Sequence, residues 1–145
     1  MIKIIMSEKY KILAKFIKDV SAETPDLETF MFVKNYISKY NLKIDITSLP
    51  LKDRVIEINT KLSLSDPNNN QKKSYFEIIF ATVIKVDESI KESEEIEKII
   101  LCDVQKIIYP SLEKTFIDLL SCSGFPGIKF EKKIDFEQLY NQKLN

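Results

Sequence analysis

Hydrophobic and polar residues alternate cleanly from 42 to 48. Leu42, Ile44 and Ile46 point one way, and Lys43, Asp45 and Thr47 the other, as in a half-buried strand. The alternation resumes over 54–64, with Ile56, Ile58, Leu62 and Leu64 on one face and Glu57, Asn59, Lys61 and Ser63 on the other. Pro50 punctuates the turn 49–53 between them, and Asp66-Pro67-Asn68-Asn69-Asn70 is the strongest turn signal in the chain. In a third run, 74–86, Phe76, Ile78, Phe80, Thr82, Ile84 and Val86 share one face. The opposite face carries Tyr75, Glu77, Ile79, Ala81 and Val83, so it too is largely apolar. Three successive strands with short turns predict an antiparallel meander.

Residues 10–20 are ambiguous. Ile12, Leu13, Phe16, Ile17 and Val20 recur at i, i+1, i+4, i+5 and i+8, which slightly favours an amphipathic helix. They also fit a strand with Ile12 and Phe16 on one side and Leu13 and Ile17 on the other. Residues 21–40 read as a long connection containing Phe30, Phe32, Tyr36 and Tyr40; such connections are usually functional or carry structure of their own.

The back half is helical. Ser93-Glu94-Glu95 puts carboxylates at a helix start, where the macrodipole favours them. Ile96, Ile99, Ile100, Val104, Ile107 and Ile108 follow at three- and four-residue spacing. Pro110 is expected to end or kink this helix at Tyr109 and can sit at the first position of a second one; the apolar stripe that follows stops at Gly124. Asp135 reads as the N-cap of a last short helix, with Gln138 closing a capping box.

Composition narrows what such a chain can do. Its 145 residues suit a single core: 1–8 read as a poorly ordered lead and 9–145 as one domain. Lys+Arg and Asp+Glu both number 22, which leaves no basic excess for nucleic acid or an anionic membrane. The absence of histidine removes the commonest general base and zinc ligand. Cys102 and Cys122 are too few for a disulfide framework or a zinc site, and two glycines cannot build a phosphate-cradling loop. No apolar run reaches the roughly 18 residues of a membrane helix. The expectation is a cytoplasmic protein with no cofactor, no metal and no enzymatic activity. Asp103, Glu113 and Asp118 read as solvated helix charges, and the cysteines as inert thiols. What remains is an apolar surplus on 74–86 and 21–40, which is either internal packing or a surface that meets a partner chain.

Three stretches resemble one family. Phe16-Ile17-Lys18-Asp19-Val20-Ser21-Ala22-Glu23-Thr24-Pro25 is similar to the Y-x-K-D-(I/L)-S-x-E-x-P stretch near the start of the bacterial export chaperone SecB. Ile108-Tyr109-Pro110 resembles its (L/F)-F-P. Ser123-Gly124-Phe125-Pro126, with Ile134-Asp135-Phe136-Glu137-Gln138-Leu139-Tyr140, resembles its ending. Order and spacing fit over residues 9–143.

The resemblance implies an α+β subunit: a four-stranded antiparallel sheet, a long helix packed on one face and a short C-terminal helix. Residues 10–20 would then be the first strand and 21–40 a crossover. It implies a homotetramer, a dimer of dimers, that holds secretory precursors unfolded without ATP and delivers them to the SecA translocase ATPase. Asp19, Glu23 and Glu77 match the family's acidic docking residues for SecA, with Tyr75 in the place of an apolar neighbour; the zinc belongs to the partner. Candidates for gripping unfolded chain are Phe30, Phe32, Tyr36, Tyr40, Phe76, Ile78, Leu139 and Tyr140, and for each the competing reading is core or subunit-interface packing. The alternatives for the whole protein are a SecB-like chaperone dedicated to one client, such as an antitoxin, or a structural subunit with no client. Three departures stand out. Ala81-Thr82 replace a glycine pair found in many members, which leaves the local bend and register of that strand open. The segment 88–98 is more charged than its family counterpart. The sequence ends at Asn145 without the mobile acidic tail of some relatives, so no tail contact with SecA is expected.

Overall fold

The computed structural model describes residues 9–144. The lead 1–8 lies outside them. Four strands form one antiparallel sheet: β1 (Tyr10–Glu23), β2 (Asn41–Pro50), β3 (Val55–Ser65) and β4 (Tyr75–Val86), in the order β1-β4-β3-β2. The fold is α+β, with the helices on one face of this sheet. Of the residues expected to share one face of β3 and β4, Ile56, Ile58, Leu62, Leu64, Phe76, Ile78, Thr82, Ile84 and Val86 are buried there, and Phe80 is half-buried. Each of the buried apolar side chains contributes about 1.5–3 kcal/mol. β4 pairs with β3 without a slip from Val55↔Lys85 to Leu64↔Phe76, so Ala81 and Thr82 do not disturb the register.

The irregularity lies in β1, and it corrects the slight preference for a helix. Ile12 pairs with Ile84 but Ala14 with Val83, and Ile17 pairs with Phe80 but Asp19 with Ile79. Each slip inserts one extra residue and reverses the alternation. Tyr10, Ile12, Ile17 and Val20 thus share the helix-side face with Val86, Ile84, Phe80 and Ile78, while Phe16 lies on the outer face opposite Ala81. Two bulges five residues apart therefore imitate a helical period.

The crossover is structured. Asp26 accepts a hydrogen bond from the Thr29 N–H at 2.8 Å and caps α1 (Leu27–Lys34); a 3₁₀ turn, Ile37–Lys39, leads into β2. At the β2–β3 hairpin, Asp53 and Arg54 adopt left-handed backbone (φ 61 and 64). The Arg54 guanidinium donates to the carbonyls of Val86 (3.3 Å), Asp87 (2.9 Å) and Ile90, clamping the exit of β4 to the hairpin. Its rigid fork of donors suits three acceptors better than an ammonium would.

A helical rod crosses the sheet: α2 (Ser93–Lys98), a π-helical stretch Ile99–Asp103, and α3 (Val104–Cys122). Pro110 lies inside α3, so of the expected alternatives the helix neither ends at Tyr109 nor restarts there. Proline cannot donate to the carbonyl four residues back. Here Lys106 and Pro110 lie on the exposed side, where water can satisfy that carbonyl. α3 ends in paired bonds, Phe125 N–H to the Leu120 carbonyl (2.9 Å) and Gly124 N–H to the Ser121 carbonyl (3.2 Å), with Gly124 at φ 99. Asp135 accepts from the Gln138 N–H at 3.1 Å and caps α4 (Phe136–Leu144).

The core has two clusters. Ile56, Ile58, Ile84 and Val86 meet Ile99, Ile100, Val104 and Ile108. Leu62, Leu64, Phe76 and Ile78 meet Tyr109, Leu112, Phe116 and Leu120. Between Ile58 and Leu62 on β3, buried Thr60 donates to Gln105 Oε1 (3.0 Å), while Gln105 Nε2 donates to the Ile100 carbonyl (3.2 Å).

Candidate functional site

β2 is an edge strand, so one line of its backbone donors and acceptors has no strand partner. Two hollows lie along it. The first, about 930 Å3, is walled by Ile37, Tyr40, Leu42, Leu64, Ile128 and Phe130. The second, about 500 Å3, lies between Ile46, Thr47 and Ser48 of β2 and Ser93, Ile96, Glu97, Ile100 and Leu101 of the rod. Phe130 stacks on Phe116 at 6.2 Å, which pins the 127–134 loop as the outer wall. Sequence reasoning missed Ile37, Leu42, Leu64, Ile128 and Phe130 as wall residues. The available signal was alternation: Ile128 and Phe130 are half-buried, Lys129 and Glu131 exposed.

The residues expected to grip unfolded chain divide into a core set and a surface set. Tyr40 is buried, lines the first hollow and accepts a hydrogen bond from the Ser74 N–H at 3.1 Å. Burial pushes its phenol up from the ordinary tyrosine range. Phe76 (0% exposed) and Ile78 (1%) are sealed in the core beside that hollow's wall. Phe30 packs against Phe125 at 5.2 Å and against Gly124. Phe32 and Tyr36 stack at 4.8 Å and 16°, half-buried, with the Lys39 ammonium 5.1 Å from the Tyr36 ring. Leu139 is exposed on α4, and the Tyr140 hydroxyl donates to the Glu94 carbonyl at 3.2 Å, tying α4 to α2.

The four residues expected to dock SecA meet on the outer face, away from the helices. Glu23 pairs with Tyr75, Ser21 with Glu77 and Asp19 with Ile79. The second bulge of β1 makes this possible: without the slip, Asp19 would fall opposite Ile78 and turn inward. Glu77 accepts from the Tyr75 hydroxyl (2.6 Å) and lies 3.4 Å from the Lys61 ammonium. That hydrogen bond, with burial, pushes the Tyr75 phenol up to about 12. Glu57 is engaged by Lys18 (2.8 Å) and Asn59 (3.0 Å), which hold its carboxyl below the usual range. Asp19 and Glu23 are exposed and form no ion pair among the described residues. A hollow of about 650 Å3 opens beside Glu23 and Tyr75.

Among the described residues, no group of three or more His, Cys, Asp or Glu side chains is placed to hold a metal ion. No helix there is long and apolar enough to cross a membrane.

The model of the family described as preprotein translocase subunit SecB matches residues 6–145. A Pelagibacter ubique (strain HTCC1062) relative, provisionally assigned as a protein-export protein SecB, is 55% identical over 97% of this chain and 100% of its own. The protein-export protein SecB of Anaplasma phagocytophilum (strain HZ) is 22% identical over 96% and 95%. Among solved structures, a SecB-like chaperone of Mycobacterium tuberculosis, in complex with a peptide from the HigA1 antitoxin, superposes with a TM-score of 0.65. It is 14% identical, with 88% of this chain and 93% of that one covered, and shares the fold.

Proposed function

The chain belongs to the SecB family of preprotein translocase subunits, and from that membership we propose that it is an ATP-independent cytoplasmic holdase. It keeps secretory precursors unfolded and hands them to the SecA translocase ATPase. The observation that carries this reading is the pair of hollows along the open edge of β2. An unfolded segment presents scattered apolar side chains and unpaired backbone groups. An edge strand offers ladder bonds to the backbone, and the flanking hollows take alternate side chains. Half-buried Phe32 and Tyr140 pack against the same cluster as the wall residues Ile37, Leu42, Ile128 and Phe130, Tyr36 stacks on Phe32, and Tyr40, Phe76 and Ile78 support the wall from within. Binding the unfolded state alone holds a precursor back by mass action, with no bond chemistry.

Delivery uses the outer face. Asp19 and Glu23, without an ion pair among the described residues, suit the basic end of SecA, while Tyr75 and Glu77 form the adjoining contact. Assembly as a homotetramer, a dimer of dimers, is supported by β1. It is the other edge strand, and Leu13, Phe16, Ile17 and Val20 are each 46–47% exposed on it, a liability that a partner strand removes.

The test is dilution of a denatured secretory precursor into buffer with an excess of the protein. Refolding should slow in proportion to the protein added. Unchanged refolding would overturn the reading.

A further inference from the structure

The groove along β2 changes sign from one end to the other. Around the first hollow, Lys129 and Lys132 line the wall, Lys133 follows, and Lys39 stands between wall residues Ser38 and Tyr40. All four are exposed, and none forms an ion pair among the described residues. Glu131 is the single acid within 127–133. At the second hollow, residues 91–98 carry Glu92, Glu94, Glu95 and Glu97 against Lys91 and Lys98, and Glu97 lines the wall. The carboxylates exceed the lysines by two, which still outweighs the partial positive charge, about half a unit, of the helix start beside them. The chain's zero net charge therefore conceals a groove with a cationic and an anionic end. From Leu42 at one hollow to Thr47 at the other is about 17 Å of strand, at about 3.3 Å per residue.

We propose that the groove selects extended segments by the order of their charges. The favoured segment places carboxylates beside Lys129 and Lys132, a neutral apolar stretch of about six residues along β2, and lysine or arginine side chains beside the start of α2. A segment of one sign throughout meets like charge at one end, and a segment with mixed ends gains at one position what it loses at the next. This rests on the edge groove being the client site.

The test uses two labelled peptides of identical composition, each with the same six-residue apolar core, two Glu and two Lys. One carries both Glu on one side of the core and both Lys on the other; the second carries one of each on both sides. Composition and net charge are matched, so only order differs, and the segregated peptide can align in either chain direction. By fluorescence anisotropy at low salt, the segregated peptide should bind at least about fivefold more tightly, as several exposed ion pairs acting together would give. The advantage should shrink at high salt. Lys129→Glu with Lys132→Glu and Lys133→Glu should abolish it, while Lys52→Glu on the hairpin should leave it intact. Equal affinities for peptides that both bind overturn the charge-order proposal and leave the holdase reading standing. If neither peptide binds, both fall.

Discussion

Gly124 sits where the rod hands over to the groove loop, and two demands meet on it. Its backbone is at φ 99, and a Cβ there would lie 2.6 Å from the Phe30 ring. Gly127, at φ 81, shares the first demand but has nothing within 4 Å. Gly127→Ala should therefore cost about 1–2 kcal/mol, from left-handed backbone alone. Gly124→Ala should cost more, because the Phe30 ring and α1 must also shift; urea midpoints of the two variants compare them directly. Tyr75 gives a second test. Its folded-state pKa of about 12 lies above the ordinary value of 10.0, so the neutral phenol is the form the fold favours. Its contribution to stability is whole below pH 10 and is lost as pH rises through about 12. The ultraviolet difference titration between the parent protein and Tyr75→Phe should centre near 12, and Glu77→Gln should move that step back toward 10. At this scale the sequence was readable where chemistry is local: Asp135 announces its helix by capping Gln138. It was silent where a residue's role depends on a distant neighbour, as with Gly124 beneath Phe30.

The same division holds for whole elements. The meander was legible almost to the residue because a half-buried strand must alternate, and 42–48, 54–64 and 74–86 became β2, β3 and β4. β1 was not legible from periodicity, because its bulges at Ile12/Ala14 and Ile17/Asp19 break the alternation that identifies a strand. The π-helical stretch was invisible for a different reason: it is a hydrogen-bond register, and isoleucines at three- and four-residue spacing suit either register. Its position points to Gln105, the buried amide joining β3 to the rod through Thr60 and the Ile100 carbonyl. Thr60→Val should cost about 1–3 kcal/mol by stranding Gln105 Oε1 in the core. Combining it with Gln105→Met should cost less than the sum of the single changes, because both partners are then apolar. A double-mutant cycle from chemical denaturation measures the difference; strict additivity would mean that the pair is not coupled.

For the molecule as a whole, the proposed holding and delivering make opposite demands, and on that proposal the sheet separates them. Clients would need apolar surface beside an open strand, and β2 is an edge strand with two hollows along it. A basic partner would need carboxylates not already neutralised, and among the described residues Glu57 and Glu77 on the outer face have lysines while Asp19 and Glu23 do not. Net charge gives no hint of this, because 22 cations and 22 anions cancel in the sum but not in space. Nor does composition reveal the groove, whose walls come from segments about ninety residues apart, 37–42 and 128–132. Asp19→Lys with Glu23→Lys should therefore weaken SecA binding about tenfold or more at low salt, chiefly through slower association, since two exposed attractions become repulsions. Raising the salt should narrow the gap, because the charges are solvent-facing. Arrest of precursor refolding should be unchanged, since β2 and its hollows lie at the opposite edge from β1, with β4 and β3 between them. Binding kinetics with SecA and the refolding assay, run on one preparation, separate the outcomes. If both activities were lost while the variant kept the parent's oligomeric state, the division of the sheet into a docking face and a client edge would be wrong.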